Sequence, residues 1–65
     1  MNLMDYYLAG GVSNTIVGKQ IKSIKSGIIM GEVEGFGINE SGDYLKLKGL
    51  GTIHHASFNY YEIID

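Results

Sequence analysis

The side chains that could do chemistry in this sequence lie in two short stretches. His54 and His55 are the chain's two histidines, and Ser57 follows two positions later. Glu32 and Glu34 are two positions apart, so in a strand their carboxylates would share one face at roughly 7 Å. Paired carboxylates can perform general acid–base catalysis, and a histidine near a serine can activate it as a nucleophile. One interpretation is therefore a small metal- or histidine-dependent enzyme built on His55, Ser57, Glu32 and Glu34.

A structural interpretation of the same residues is favoured. Adjacent residues in a strand point to opposite faces, so one chain cannot easily bring His54 and His55 to the same metal ion. The chain has no cysteine, which excludes disulfides and thiolate metal sites. Its glycines match no phosphate-binding motif. We therefore predict that the protein is not an enzyme and has no catalytic residue, no metal site and no cofactor.

The charged residues bear on nucleic-acid binding. Seven acids outnumber five basic residues, all of them lysines, and the net charge is −2. Arginine makes the commonest bidentate contacts to phosphates and bases, so its absence weakens the case for sequence-specific recognition. The lysines could still form a small cationic patch if their two stretches are neighbours in the fold. An RNA-binding alternative would use the following residues: Lys19, Lys22, Phe36, Lys46, Lys48 and His55.

Tyrosines are the more suggestive side chains. The chain has five tyrosines and no tryptophan, and four of the tyrosines form two doublets. Because the rings of a doublet point apart, we expect one ring in the core and the other facing outward. Exposed tyrosines are favoured at protein interfaces. We therefore predict a non-enzymatic binding or regulatory protein that acts by macromolecular contact, with another protein favoured over RNA. Its predicted contact residues are Tyr6, Tyr44, Tyr60 and Tyr61.

The first part of the chain contains one clear helix and one ambiguous segment. Residues 1–11 predict a short helix, because Asn2 can cap it and Gly10 can end it. Residues 15–26 have apolar side chains at helical spacing. Against a helix stand the β-branched residues of this segment and Gly18 within it. Helix and strand are equally favoured here.

The rest of the chain predicts antiparallel β structure. Residues 28–38 form one long strand or two short strands joined at a bend, and three glycines there share one face with Val33, which indicates sharp curvature. Residues 44–48 alternate, with Leu45 and Leu47 directed inward. Short turns make these strands a meander, which a bent first strand could curl into a small barrel. Further strands are predicted at residues 52–58 and 60–64.

Parts of the sequence resemble a known family. GIIMGEVEGF at residues 27–36 looks like the second strand of the Sm-like family of small SH3-like barrels, and residues 3–8 resemble the first helix of its Hfq-like members. Ile53-His54-His55-Ala56 looks like that family's strand with a basic residue, a histidine and an alanine. The resemblance implies a ring that binds single-stranded RNA, with His55, more than His54, at a uridine pocket. A second resemblance, through Val17-Gly18-Lys19 and Met30-Gly31-Glu32-Val33, is to PRC-barrel domains.

The predicted fold class is mainly β: a small, strongly bent antiparallel barrel of SH3-like or Sm-like form with a short N-terminal helix. The alternative is an α+β fold, with a helix at residues 15–26 packed on a three- to four-stranded antiparallel meander. A chain of 65 residues and 7.1 kDa has room for one domain, residues 1–65.

The small size of the chain makes self-association attractive. A hydrophobic core of this size rarely contributes more than ~3–5 kcal/mol. Ten glycines raise the entropy of the unfolded chain further. Without disulfides or a metal, we predict a homo-oligomer, and the last strand could pair with a neighbouring subunit through an open edge.

Targeting signals are not visible in the sequence. The apolar run at residues 28–30 is far shorter than the roughly 20 residues that span a bilayer. No basic segment followed by an apolar segment indicates secretion. We expect a cytoplasmic protein without membrane binding, of the kind found among phage or bacterial accessory proteins.

Overall fold

The fold is mainly β, as the sequence predicts. The computed structural model of the protein describes residues 1–64. Its elements in chain order are α1 (Leu3–Leu8), a first 3₁₀ helix (Asn14–Ile16), β1 (Gln20–Ser23), β2 (Ile29–Asn39), β3 (Gly42–Leu47), β4 (Gly51–His54), a second 3₁₀ helix (His55–Tyr60) and β5 (Tyr61–Ile64). The strands form one antiparallel sheet in the order β4-β3-β2-β1-β5. The sheet is not closed, but it is compatible with a small barrel-like fold.

The helix considered for residues 15–26 is wrong. Only Asn14–Ile16 form a helical turn, and Gly18 then adopts a φ of +94°, which takes the backbone out of helical geometry. β1 instead pairs with both β2 and β5, so its backbone groups bond across the sheet. Ile21 is fully buried. The β-branched residues of the segment suit this half-buried pleated surface.

β2 is one long strand, which is the first of the two alternatives that the sequence leaves open for residues 28–38. Its first part pairs with β1 and its second part with β3, and a bulge at Glu34 separates the pair Val33–Leu47 from the pair Gly35–Lys46. A bulge inserts one residue, so the alternation of side chains reverses beyond it. Val33 and its partner are buried, whereas Gly35 lies on the outer face opposite the exposed lysine. The prediction that the glycines beyond the bulge share a face with Val33 is therefore wrong.

The β3–β4 hairpin agrees only in part with prediction. Leu45 and Leu47 are buried, as expected from their alternation. β4 is shorter than the strand predicted for residues 52–58, because the chain turns at His54 into the second 3₁₀ helix. The His54 side chain accepts a hydrogen bond from a backbone N–H of that helix and caps it. The helix carries Phe58 into the core, where it is fully buried.

The N-terminal residues cap α1 and cover the edge of β5. The Asn2 side chain accepts hydrogen bonds from two backbone N–H groups of α1, as predicted. Asn2 also bridges to Glu62, and the Ile63 N–H donates to the Met1 carbonyl at 2.7 Å. The prediction of an open edge on the last strand is therefore wrong. The core comprises Leu3, Ile16, Ile21, Val33, Leu45, Leu47, Ile53, Phe58 and Ile63.

Candidate functional site

An open groove lies between the end of α1 and the β2–β3 hairpin. The bulge in β2 creates it, because beyond the bulge Phe36 and Ile38 pair with Leu45 and Asp43 on the inner face of the hairpin. The groove has a volume of about 360 Å³, which falls among the ~300–1,000 Å³ of ligand sites in proteins. Its lining residues are Tyr7, Gly10, Val12, Phe36, Gly37, Ile38 and Asp43.

Large apolar side chains in the groove remain in water. Phe36 is 39% exposed and Ile38 is 74% exposed, although both lie on the inner face of the hairpin, where Leu45 is buried. Val12 is half-buried and packs at the margin of the core. Exposed apolar surface is a common marker of an interaction site when it lies in a concave region with a few polar groups.

Tyr7 and Asp43 are the polar side chains of the groove. The Tyr7 hydroxyl donates a hydrogen bond to Asp43 Oδ2 and so joins α1 to β3. That hydrogen bond, followed by partial desolvation and the carboxylate charge, raises the pKa of Tyr7 above its ordinary 10.0. The Tyr7 ring also packs edge-on against Phe58, with centroids 5.1 Å apart. Within residues 1–64, Asp43 Oδ1 has no hydrogen-bond partner and can receive a donor from a bound molecule.

The two histidines lie beside the groove and hold the β2–β3 turn. His54 Nδ1 accepts a hydrogen bond from the Ala56 N–H at 3.2 Å, so its Nε2–H donates to the Ser41 carbonyl. The imidazole rings of His54 and His55 contact each other, with centroids 4.3 Å apart. The prediction of opposite faces is wrong, because His54 ends β4 and His55 begins the second 3₁₀ helix. Ser57 lies in the same helix and so does not share a strand face with His55.

The carboxylate pair considered for catalysis is bound by lysines. Lys48 Nζ lies 2.8 Å from Glu32 Oε2, and Lys46 Nζ lies 4.0 Å from Glu34 Oε2. Glu32 lies near the β1 end of β2, about 20 Å by strand geometry from the hairpin turn that His55 contacts. The structure therefore does not bring the glutamates and His55 together.

The predicted RNA-binding residues are spread over the molecule. Lys22 Nζ is 2.9 Å from Glu62 Oε1, and this hydrogen bond and charge lower the pKa of Glu62 below its ordinary 4.5. Lys19 precedes β1, and its backbone carbonyl accepts a hydrogen bond from Val33. Phe36 and His55 lie at the hairpin end, whereas Lys46 and Lys48 form the ion pairs described above. Three of the four lysines therefore lie beside glutamates, so their surroundings are not purely cationic.

The predicted contact tyrosines also occupy separate places. Tyr6 lies against Gly11, and its hydroxyl is 3.2 Å from the Thr15 hydroxyl. Tyr44 lies over Gly37 on the outer face of the hairpin. Tyr60 is exposed and Tyr61 is half-buried against the core, as expected for a doublet whose rings point apart. Their role in contact stays a prediction.

Sequence reasoning missed most of the groove. The sequence indicates Phe36 only as an RNA-binding residue, and it does not single out Tyr7, Val12, Ile38 or Asp43. One signal was present: Ile38 directly precedes the turn, where an aliphatic residue has little core to enter.

Comparison of the chain with protein-family models, curated proteins and solved structures finds no match. Across residues 1–64, no group of three or more His, Asp or Glu side chains is arranged to hold a metal ion. Within the same part of the chain, the helices lack the length and apolar character needed to cross a bilayer.

Proposed function

We propose that the protein is a non-enzymatic binding module whose groove receives an apolar segment of another protein. One observation carries this proposal: Phe36 and Ile38 stand exposed in a concave site that also offers a carboxylate. Burial of such side chains stabilises a complex by about 25 cal/mol for each Å² removed from water. Asp43 Oδ1 adds a preference for a segment that carries a Lys, an Arg or another hydrogen-bond donor.

The groove is also held in shape by contacts of its own residues and neighbours. Tyr7 is fixed by its bond to Asp43 and its packing on Phe58, so little side-chain entropy is lost when the groove fills. The backbone of the hairpin is held at its turn by the bond between His54 and the Ser41 carbonyl. These features support a groove that is formed before its ligand arrives.

Binding of RNA by an Sm-like ring is the weaker proposal. Lys22, Lys46 and Lys48 are engaged with glutamates, and the net charge of the chain is negative. The lysines would have to leave those glutamates before they could neutralise phosphates and release the counterions condensed on the RNA. The groove itself has a carboxylate and no lysine among its lining residues.

A peptide selection tests the proposed function. A random-peptide library displayed on phage is selected against the wild-type protein, against Ile38→Glu and against Val17→Glu. Both substitutions replace an exposed aliphatic residue, but only Ile38 lines the groove. We expect the wild type and Val17→Glu to enrich peptides that combine apolar anchors with Lys or Arg, and Ile38→Glu to enrich none of them.

Amide chemical-shift mapping with an enriched peptide then places the bound segment. Shifts at Tyr7, Phe36 and Asp43 are the expected result. Equal enrichment on Ile38→Glu, or shifts confined to the outer face of the sheet, would contradict the proposal. Salt-dependent binding of an oligouridine at micromolar affinity or better, in a filter-binding titration, would favour the RNA alternative instead.

A further inference from the structure

A second apolar surface lies at the opposite end of the sheet. The turn between β1 and β2, residues 24–28, presents Ile24 and Ile28 to water, and Ile29 beside it is also exposed. Tyr60 is also exposed and lies beside this turn, because its carbonyl accepts a hydrogen bond from the Ile24 N–H at 3.0 Å. We call these four residues together with Lys25 the β1–β2 tip.

The tip has a defined conformation of its own. The Gly27 N–H donates to the Ser23 carbonyl at 2.8 Å, and Gly27 has a φ of +73°. The Ser23 hydroxyl accepts from the Ser26 N–H, and the Ser26 hydroxyl accepts from the Ile28 N–H. A turn that is bonded in this way loses little backbone entropy when its apolar side chains are bound.

The tip and the groove are complementary in charge as well as in polarity. Lys25 stands between Ile24 and Ile28 in the sequence and forms no ion pair within residues 1–64. The groove has Asp43 at its edge, and the adjoining turn adds Glu40. The tip is therefore an apolar projection that carries a cation, and the groove is an apolar cleft that carries an anion. Complementary charges of this kind are typical of two surfaces that bind each other.

A single chain cannot join its own two surfaces. Ile29 of the tip and Ile38 of the groove are nine positions apart on the same strand, β2. Pairing of the first part of β2 with β1 and of the second part with β3 holds these two ends of the strand apart. The tip can therefore reach a groove only on another copy.

We propose that the β1–β2 tip of one copy occupies the groove of the next, with Ile24 and Ile28 against Phe36 and Ile38, and with Lys25 beside Asp43. The inference rests on the proposed role of the groove as a protein-binding site and names its occupant as a second copy of this chain. Two different surfaces meet in such a contact, so the assembly is head-to-tail and continues until it closes into a ring or extends as a filament.

Two variants that each lose one surface test this contact. Ile38→Glu disables the groove and Ile28→Glu disables the tip, and both replace residues more than 60% exposed, so the core is not affected. Light scattering after size exclusion is run over a concentration series. We expect the wild type and the Val17→Glu control to gain mass with concentration, and each disabled variant to remain at one chain of 7.1 kDa.

An equimolar mixture of the two variants gives the decisive result. The intact tip of Ile38→Glu fits the intact groove of Ile28→Glu, and neither product can extend further, so we expect a discrete species of two chains. Lys25→Glu should weaken assembly of the wild type at low salt, whereas Lys25→Arg, which keeps the positive charge, should not. A mixture that stays monomeric, or a wild type that stays monomeric throughout, overturns the inference.

The failure of this inference and that of the proposed function are distinguishable. If the wild type is monomeric but peptides are still selected through Ile38, the groove binds protein and its occupant is a different chain. If the wild type assembles and Ile38→Glu assembles equally, the second copy docks elsewhere and the head-to-tail contact is rejected.

Discussion

Replacement of Gly42 by alanine tests how the hairpin is held against the second 3₁₀ helix. Gly42 begins β3 with a φ of +111°, a conformation that side-chain-bearing residues rarely adopt. A Cβ built at this position would lie 2.6 Å from His55 Nε2. The substitution therefore strains the backbone and also pushes the His55 ring away from its neighbours. Gly49 is the matched control, because it has a φ of +73° and nothing within 4 Å of its Cβ position.

The magnitudes follow from these two terms. Gly49→Ala should lower the free energy of unfolding only through backbone strain, by about 1–2 kcal/mol. Backbone strain in Gly42→Ala should lower the free energy of unfolding by about 1–3 kcal/mol. Displacement of His55 also weakens its ring contacts with Tyr7 and His54, at 6.0 and 4.3 Å, for a further loss of about 0.5–1.5 kcal/mol. We expect Gly42→Ala to lower the free energy of unfolding by about 1 kcal/mol more than Gly49→Ala, or ~4–8 °C in Tm.

Thermal and chemical unfolding of the two variants provide the measurement, and a double-mutant cycle identifies the cause. In a His55→Ala background the ring is gone, so Gly42→Ala should retain only its backbone term. Equal losses for Gly42→Ala and Gly49→Ala would refute the reasoning. An unchanged cost of Gly42→Ala after His55→Ala would show that the histidine ring plays no part.

The remaining predictions concern α1. The pKa of Tyr7 is raised in the folded protein, so the bond to Asp43 stabilises the fold below the ordinary value of 10.0 and is lost as the pH rises through the raised value. The difference in Tm between wild type and Tyr7→Phe should therefore be present at neutral pH and vanish in strongly alkaline solution; a difference that is constant with pH would contradict this. Leu3→Ala removes a fully buried side chain and should cost ~2–5 kcal/mol. That is comparable to the ~3–5 kcal/mol expected of so small a core, so circular dichroism should show a largely unfolded chain, whereas Leu8→Ala at an exposed site should leave the spectrum unchanged.

The parts of the fold that were predicted correctly depend on neighbours in sequence. Asn2 caps the helix that follows it, and Leu45 and Leu47 alternate along a short strand. Residues 15–26 were not resolved by the same reasoning, because their apolar spacing fits a helix while their residue types favour a strand. The strand forms because β1 pairs with β5, which lies more than 30 positions further along the chain. The local sequence contains no information on that partner.

The groove could not be predicted from the sequence because of one inserted residue in β2. Strict alternation along β2 would place Phe36 and Ile38 on the face opposite Val33, where they would have no connection with α1. The bulge at Glu34 reverses that alternation and turns both side chains toward Tyr7. Nothing in the local sequence sets the position of the bulge, since it is fixed by the register between β2 and β3.

The distribution of apolar residues supports the proposal that protein covers both ends of the sheet. Ile24, Ile28, Ile29 and Ile38 are all more than 45% exposed, although residues 1–64 include only nine buried hydrophobic residues to stabilise the fold. Isolated exposed side chains need no explanation. Here they gather at a bonded turn and at a concave groove, with a lysine in one and an aspartate at the edge of the other. For a chain with so small a core, the same residues would add stability when buried against a second surface, so docking and folding would reinforce each other.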